Sequence, residues 1–296
     1  MMLVFALAAP SFAADGDDAS YVQNSIANSP DFSATGAGTV YLTILSNSVN
    51  GNYIARFNEA ISIESNDHAH DYCTVYEVLV EAHNDIPDLI FTIQSSTIPT
   101  GTSNAVVGVK DNSVSNSITF GPVLSYDYYN GWMFRINNQF PLLNQADWPS
   151  GWTASDGPIG ASIEQAYVTN GQTITLYCAD MKNSLRGTHY LMVDDCVRNG
   201  NTLVLNLSAS QSYYDASNSY YWVIDDFALV DDSVYSFTVM VNGDYKFAYY
   251  SSDGVFTISG VTDTSGTVTI IPTFNNHTSG GIAYGIPKIT GATVEF

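Results

Sequence analysis

Punctuation is what limits this chain most: from Thr39 onward, short runs rich in Val, Ile, Thr, Tyr and Phe are cut again and again by Gly, Asn, Ser, Asp and Pro. A run stopped that early can bury one face of a strand, but it cannot complete the turns that a packed helix needs. Val40, Leu42 and Ile44 alternate with Tyr41, Thr43 and Leu45, and after a turn at Asn50-Gly51-Asn52 a second strand is predicted over 53–63. Further strands are predicted over 89–93, 105–109, 118–120, 131–137 and 173–178. One segment alone has a persuasive helical period. Val75, Val78, Leu79 and Ala82 fall at i, i+3, i+4 and i+7, and Thr74-Val75-Tyr76-Glu77 reads as a capping box. That helix is predicted over 74–82 and ends around Asn84, ahead of Pro87.

The polar segment 182–189 reads as a linker. Beyond it, strands are predicted over 190–193, 202–207, 220–224, 233–241, 245–250, 254–258, 267–271 and 292–296, with turns at Asn242-Gly243-Asp244 and Ser252-Asp253-Gly254. Strands at this spacing, with no competing helix, predict an antiparallel β-sandwich of immunoglobulin-like size. The chain is therefore expected to be mainly β. Its first domain, 39–181, is expected to be α+β, an antiparallel sheet with one packed helix, and the sandwich follows over 190–296.

Residues 1–9 are apolar but far shorter than the roughly 20 residues of a membrane span. Pro10-Ser11-Phe12-Ala13 then supplies small residues at Ser11 and Ala13, the pattern of a cleavage site, and Asp15, Asp17 and Asp18 follow at once. Residues 1–13 are thus read as a secretory signal peptide, and 14–38, rich in Ala, Ser, Asn, Asp and Gly, as a flexible lead-in. No Lys or Arg precedes the apolar run, and no sorting motif or anchoring helix closes the chain at Glu295-Phe296. The recorded chain is accordingly expected to be incomplete at both ends. Its expected location is outside the cell, secreted or on a bacterial surface.

Twenty-nine acids against 8 bases give a formal charge of −21, which repels phosphate backbones and anionic lipid surfaces. The bases, from Arg56 to Lys288, do not cluster, so nucleic acid is excluded as an expected partner. No stretch after the leader approaches the length of a spanning helix, and no membrane insertion of the mature chain is expected. Cys73, Cys178 and Cys196 allow at most one disulfide, whose pairing the sequence leaves open, and their spacing matches no zinc template.

The most informative stretch is Tyr128-Tyr129-Asn130-Gly131-Trp132-Met133-Phe134-Arg135-Ile136-Asn137-Asn138-Gln139-Phe140-Pro141, an aromatic strand running into an Asn-Asn turn. With the later segment 160–174, which includes Ala166-Tyr167-Val168-Thr169-Asn170-Gly171, and with Thr74-Val75-Tyr76-Glu77-Val78-Leu79, it resembles the transcobalamin-like C-terminal domain family. The resemblance covers roughly 39–180. Asn138 stands where that family has a turn Gly, and 94–127 and 142–158 read as insertions. The resemblance implies a sheet with one amphipathic helix. It also implies cobalamin as a ligand, or, as in many bacterial surface proteins, a place beside adhesive modules with no ligand established.

Tyr128, Tyr129, Trp132, Trp148 and Trp152 are the candidate ligand-binding residues, because exposed rings can stack on a flat corrinoid, a sugar or a partner surface. Trp148 and Trp152 flank a Pro-Ser-Gly turn in a loop. His68 and His70, in Asp67-His68-Ala69-His70-Asp71, point to one side of an extended segment and are the candidate metal ligands, with His83 a candidate third. The acid pairs Asp194-Asp195, Asp225-Asp226 and Asp231-Asp232 are oxygen donors of the kind calcium takes, without EF-hand spacing. Gly-x-Ser-x-Gly, His-Glu-x-x-His, phosphate-loop and dinucleotide motifs are absent from the sequence. The expectation is a non-enzyme that requires no cofactor and binds a small molecule or glycan through aromatic residues. The alternative is a structural or adhesive protein that contacts surface proteins or glycans.

Overall fold

The alternating pattern becomes strands at the predicted places, several of them longer than the pattern alone suggested. The computed structural model describes residues 11–12, 38–47, 53–64, 73–98, 101–112, 118–120, 130–141, 143, 146, 150–151, 153, 161–180, 189–215, 220–228, 236–250, 254–273, 276–279, 282–287 and 290–296. In chain order its first elements are Ser11–Phe12 (β1), Gly38–Asn47 (β2), Tyr53–Ile63 (β3), Cys73–Thr74 (β4), the helix Val75–Asp85 (α1), Leu89–Ile98 (β5), Gly101–Asp111 (β6), Ile118–Phe120 (β7), Asn130–Ile136 (β8), Tyr167–Val168 (β9) and Thr173–Asp180 (β10). They continue as His189–Asn199 (β11), Thr202–Asp215 (β12), Tyr220–Ala228 (β13), Ser236–Val241 (β14), Asp244–Lys246 (β15), Ala248–Tyr250 (β16), Val255–Ser259 (β17), Thr267–Thr273 (β18), Asn276–Ser279 (β19), Ile282–Pro287 (β20) and Ala292–Glu295 (β21). The protein is mainly β, with one helix among the described residues.

The strands form sheets in the orders β1-β5-β6-β7, β3-β2-β10-β8, β11-β12-β17-β16 with β13 on β12, and β15-β14-β18-β21. One pairing departs from the antiparallel first sheet expected above. β10 lies between β2 and β8 and runs parallel to β2, from Thr173 opposite Tyr41 to Tyr177 opposite Leu45. A parallel pair needs a long crossover, and the segment between β2 and β10, which includes α1, supplies it.

Buried apolar side chains gather in two large clusters, one drawn from residues 40–176 and one from residues 191–292. The earlier one takes Val40, Leu42 and Ile44 from β2, Trp132 from β8, Ile174 and Leu176 from β10, and Val75, Val78, Leu79 and Ala82 from α1. The later one takes Leu203 and Leu205 from β12, Phe256 and Ile258 from β17, Val239 and Val241 from β14, and Val268 and Ile270 from β18. Two sheets therefore close on one core in the later half. Because side chains alternate across a strand, the opposite face of the first sheet carries Leu45 and Tyr177, and these pack on Tyr190 and Met192 of β11. That contact joins the two halves. Between the two sheets of the earlier half, Arg56 of β3 donates to the buried Asp111 carboxylate of β6 at 2.7 Å and to Glu59 at 3.0 Å. Cys73 is buried and Cys196 half-buried, and neither is in a disulfide.

The start of α1 is built as its sequence requires. The Glu77 amide donates to Thr74 Oγ1 at 3.3 Å, while Glu77 Oε2 accepts from the Thr74 amide at 2.8 Å and from its hydroxyl at 2.9 Å. Segment 161–168 covers this end, with the carbonyls of Ala166 and Ile163 accepting from the amides of Val75 and Tyr76. Covering the end buries Glu77, and loss of water raises its carboxyl pKa to about 7 against the opposing pull of the Thr74 donors. The folded state thus prefers the protonated acid. Stability from this group is complete below about pH 4.5 and is lost as pH rises to about 7, a change on the order of 3 kcal/mol. Glu77→Gln keeps an acceptor at the cap, so denaturant melts at pH 5 and pH 8 should show a smaller stability difference than in the parent. An unchanged difference would contradict this assignment.

Candidate functional site

The junction of the two halves leaves a cleft of about 480 Å³ between the outward face of the first sheet and strands β11 and β21. Polar side chains make up much of its wall. Asn58, Asn137, Asn138, Thr43, Thr173, Thr175 and Thr293 line it, with Tyr190, several aliphatic residues and Glu295, its only charged group among the described residues.

All three asparagines have left-handed backbones: φ is 48° at Asn58, 49° at Asn137 and 65° at Asn138. Asn tolerates this region better than other non-glycine residues. Positive φ at both Asn137 and Asn138 is the signature of a tight type I′ turn, closed by hydrogen bonds between Ile136 and Gln139 at 3.0 and 2.9 Å. Asn58 sits where the β2–β3 register shifts, opposite Thr43, as a β-bulge requires. The turn and the bulge thereby place the three asparagines on the cleft wall.

Each of the three amides has its oxygen engaged by the protein. Asn137 Oδ1 accepts from the Thr173 amide at 2.9 Å, Asn138 Oδ1 from the Tyr190 hydroxyl at 2.8 Å, and Asn58 Oδ1 from the Thr43 hydroxyl at 3.4 Å. No protein acceptor takes their NH2 groups among the described residues. The residues lining the cleft thus carry up to six side-chain N–H donors, on amides whose oxygens already have partners. Thr293 Oγ1 adds a buried hydroxyl with no partner.

Tyr190 forms the floor. Its ring lies 5.0 Å from that of Tyr177, and the Arg135 guanidinium stands 4.4 Å from its centroid. Arg135 donates to the Asn138 carbonyl at 3.0 Å and to the Tyr177 hydroxyl at 3.4 Å, and its Nη2 is buried without a partner. Burial pushes the Tyr190 phenol up to about 12, although a hydrogen bond with Thr175 and the Arg135 cation pull it down. The phenol consequently stays protonated and donates to Asn138. This chain of contacts locks the Asn-Asn turn of the earlier half to β11 of the later one.

Of the ligand-binding residues expected from sequence, only Trp132 lies among the described residues. It is 6% exposed within the first core, its Nε1 has no partner, and it does not line the cleft. Tyr128, Tyr129, Trp148 and Trp152 lie outside the described residues, as do His68 and His70. His83 is on α1, with Nδ1 2.8 Å from the Leu89 carbonyl oxygen. Asp194 accepts from Ser208 Oγ at 2.8 Å, and among the described residues no three His, Cys, Asp or Glu side chains gather as metal ligands do. Comparison with known protein families, with curated proteins and with solved structures finds no match for this chain.

The cleft residues were not among the sequence candidates. One signal was available: Asn58 interrupts an alternating strand with a polar, turn-prone residue, and Asn137-Asn138 is a hairpin pair. Nothing local shows that these two sites meet, because β10 and β11 bring them together from distant parts of the chain.

Proposed function

We propose that this is an extracellular, non-catalytic binding protein whose interdomain cleft takes a neutral glycan, a mono- or short oligosaccharide. The observation that carries this reading is the set of three asparagines that line the cleft, whose oxygens are held by the fold and whose NH2 groups have no protein acceptor among the described residues. Sugar hydroxyls and ring oxygens accept from such donors, and a sugar hydroxyl can in turn donate to Glu295 or pair with Thr293. Fixed donors lose little freedom when the ligand arrives, which favours binding. A volume of about 480 Å³ lies within the usual range of small-ligand sites. The leader-like sequence of residues 1–13 supports a place outside the cell, and the pairing of Ser11–Phe12 with β5 belongs to the chain that still carries that segment. No helix among the described residues is long and apolar enough to cross a membrane.

Calorimetric titration with a panel of neutral mono- and oligosaccharides tests the proposal, with cobalamin as the comparator that the family resemblance calls for. Saturable binding of a sugar at up to roughly millimolar concentration supports it. Binding of cobalamin alone would assign the protein to corrinoid capture instead, and binding of neither would remove the glycan reading.

A further inference from the structure

The face of the first sheet that lines the cleft continues beyond it. Val40, Leu42 and Ile44 of β2 enter the earlier core, so Tyr41, Thr43 and Leu45 stand on the opposite face. β10 runs parallel beside them, with Thr173 opposite Tyr41, Thr175 opposite Thr43 and Tyr177 opposite Leu45. Burial falls off along both strands in the same direction. Leu45 and Tyr177, packed on Tyr190 and Met192, are 3% and 2% exposed, and Thr43 and Thr175 in the cleft wall are 7% and 5% exposed. Thr173 is half-buried, and Tyr41 is 36% exposed. Tyr41 is therefore the next β2 side chain on this face past the cleft, at its open end.

Backbone pairing fixes what stands beside it. Ala60 of β3 is opposite Tyr41 on one side and Thr173 of β10 on the other, and Asn137, just past β8, follows Thr173 in the same row. The Tyr41 amide donates to the Gln172 carbonyl at 2.9 Å, and the Asn137 amide to the Thr173 carbonyl at 2.9 Å. Adjacent strands lie about 4.8 Å apart, which puts Tyr41 about 5 Å from Thr173 and about 10 Å from Asn137, measured along the row of backbones. Along β2, Thr43 is about 6.6 Å away. The neighbours of Tyr41 in the row, Ala60 and Thr173, are both small.

A single exposed tyrosine is ordinary on a protein surface. What marks Tyr41 is its place, one position beyond Thr43 and beside Thr173, both of which line the cleft. A tyrosine offers a rigid apolar ring with a hydroxyl at its tip. The row thus sets an apolar ring next to hydroxyl and amide groups, and a sugar matches that combination, since each of its rings carries hydroxyls on its rim and C–H groups on its faces. One sugar ring held among the cleft amides leaves Tyr41 in water. A chain of two or more rings, leaving the cleft at its open end, covers it and removes apolar surface from water.

We infer, resting on the glycan reading of the cleft, that Tyr41 forms a second subsite at its open end, against which the next ring of a neutral oligosaccharide packs. The site accordingly selects chains of two or more sugars over monosaccharides. The test is calorimetric titration with three length series: glucose, cellobiose and cellotriose; mannose, mannobiose and mannotriose; N-acetylglucosamine, chitobiose and chitotriose. It compares the parent with Tyr41→Thr, which keeps a strand-forming residue, and Tyr41→Phe, which keeps the ring. In the series that binds, the parent should take the disaccharide about threefold to tenfold more tightly than the monosaccharide. Tyr41→Thr should lose that preference while binding the monosaccharide with parental affinity, and Tyr41→Phe should retain most of it. A parent without a length preference, or a Tyr41→Thr variant that keeps it, would overturn the subsite while leaving the cleft a sugar site. Equal weakening of Tyr41→Thr toward every length would also overturn it, by showing that Tyr41 acts through the fold. Binding of no sugar of any length by the parent would instead remove the glycan reading, and the subsite with it.

Discussion

Trp132→Ala should lower folding stability by about 3–5 kcal/mol, the range for removing a large aromatic side chain from a packed core. Trp132 is 6% exposed and packs in the cluster that includes Leu42, Ile174 and the apolar face of α1. Its Nε1 is buried without a partner. Trp132→Phe leaves no donor unsatisfied and keeps most of the volume, so it should cost far less than the alanine change. Urea melts of the two variants measure the contrast. If Trp132→Ala instead left stability unchanged and weakened ligand binding, Trp132 would belong to a binding surface, contrary to its place in the core.

Asn137→Gly with Asn138→Gly should do the opposite, weakening ligand binding with little damage to the fold. Glycine adopts the φ values of 49° and 65° found at these positions at no steric cost, so the turn persists while both amides disappear. Two hydrogen bonds to a neutral ligand contribute about 1–3 kcal/mol, which corresponds to roughly a tenfold to hundredfold loss of affinity. Stability should fall by about 1–2 kcal/mol, because the acceptors of the Thr173 amide and the Tyr190 hydroxyl are also removed. Calorimetry and melts on the same preparation separate the two effects. A variant that is well folded and binds with parental affinity would show that these amides do not touch the ligand.

What the sequence disclosed was local. Thr74 and Glu77 mark the start of α1 because a capping box is written within four residues, and the structure forms both of its hydrogen bonds. The strands at 53–63 and 118–120 follow from alternation alone. The parallel partnership of β2 and β10 does not, since pairing across so long a separation leaves no local mark. The short strands β4 and β9, two residues each, are also invisible to a periodicity argument. The site was hidden for the same reason: Asn58, Asn138 and Tyr190 lie in three separate stretches and meet only once the sheet is assembled. Aromatic residues drew attention in the sequence because they are large. Trp132 serves the core, while the fixed donors of the cleft are small amides set by backbone geometry.

Contact between a glycan and the amides of Asn58, Asn137 and Asn138 is what distinguishes a glycan-binding cleft from an unoccupied junction of the two halves. The most direct measurement is a two-dimensional ¹H–¹⁵N spectrum that resolves the side-chain NH2 resonances of these three residues during titration with the best-binding neutral sugar. If the amides contact the glycan, all three pairs shift together and saturate at the concentration where calorimetry does. Saturable binding during which these resonances stay fixed, with shifts confined to other parts of the protein, would contradict that contact.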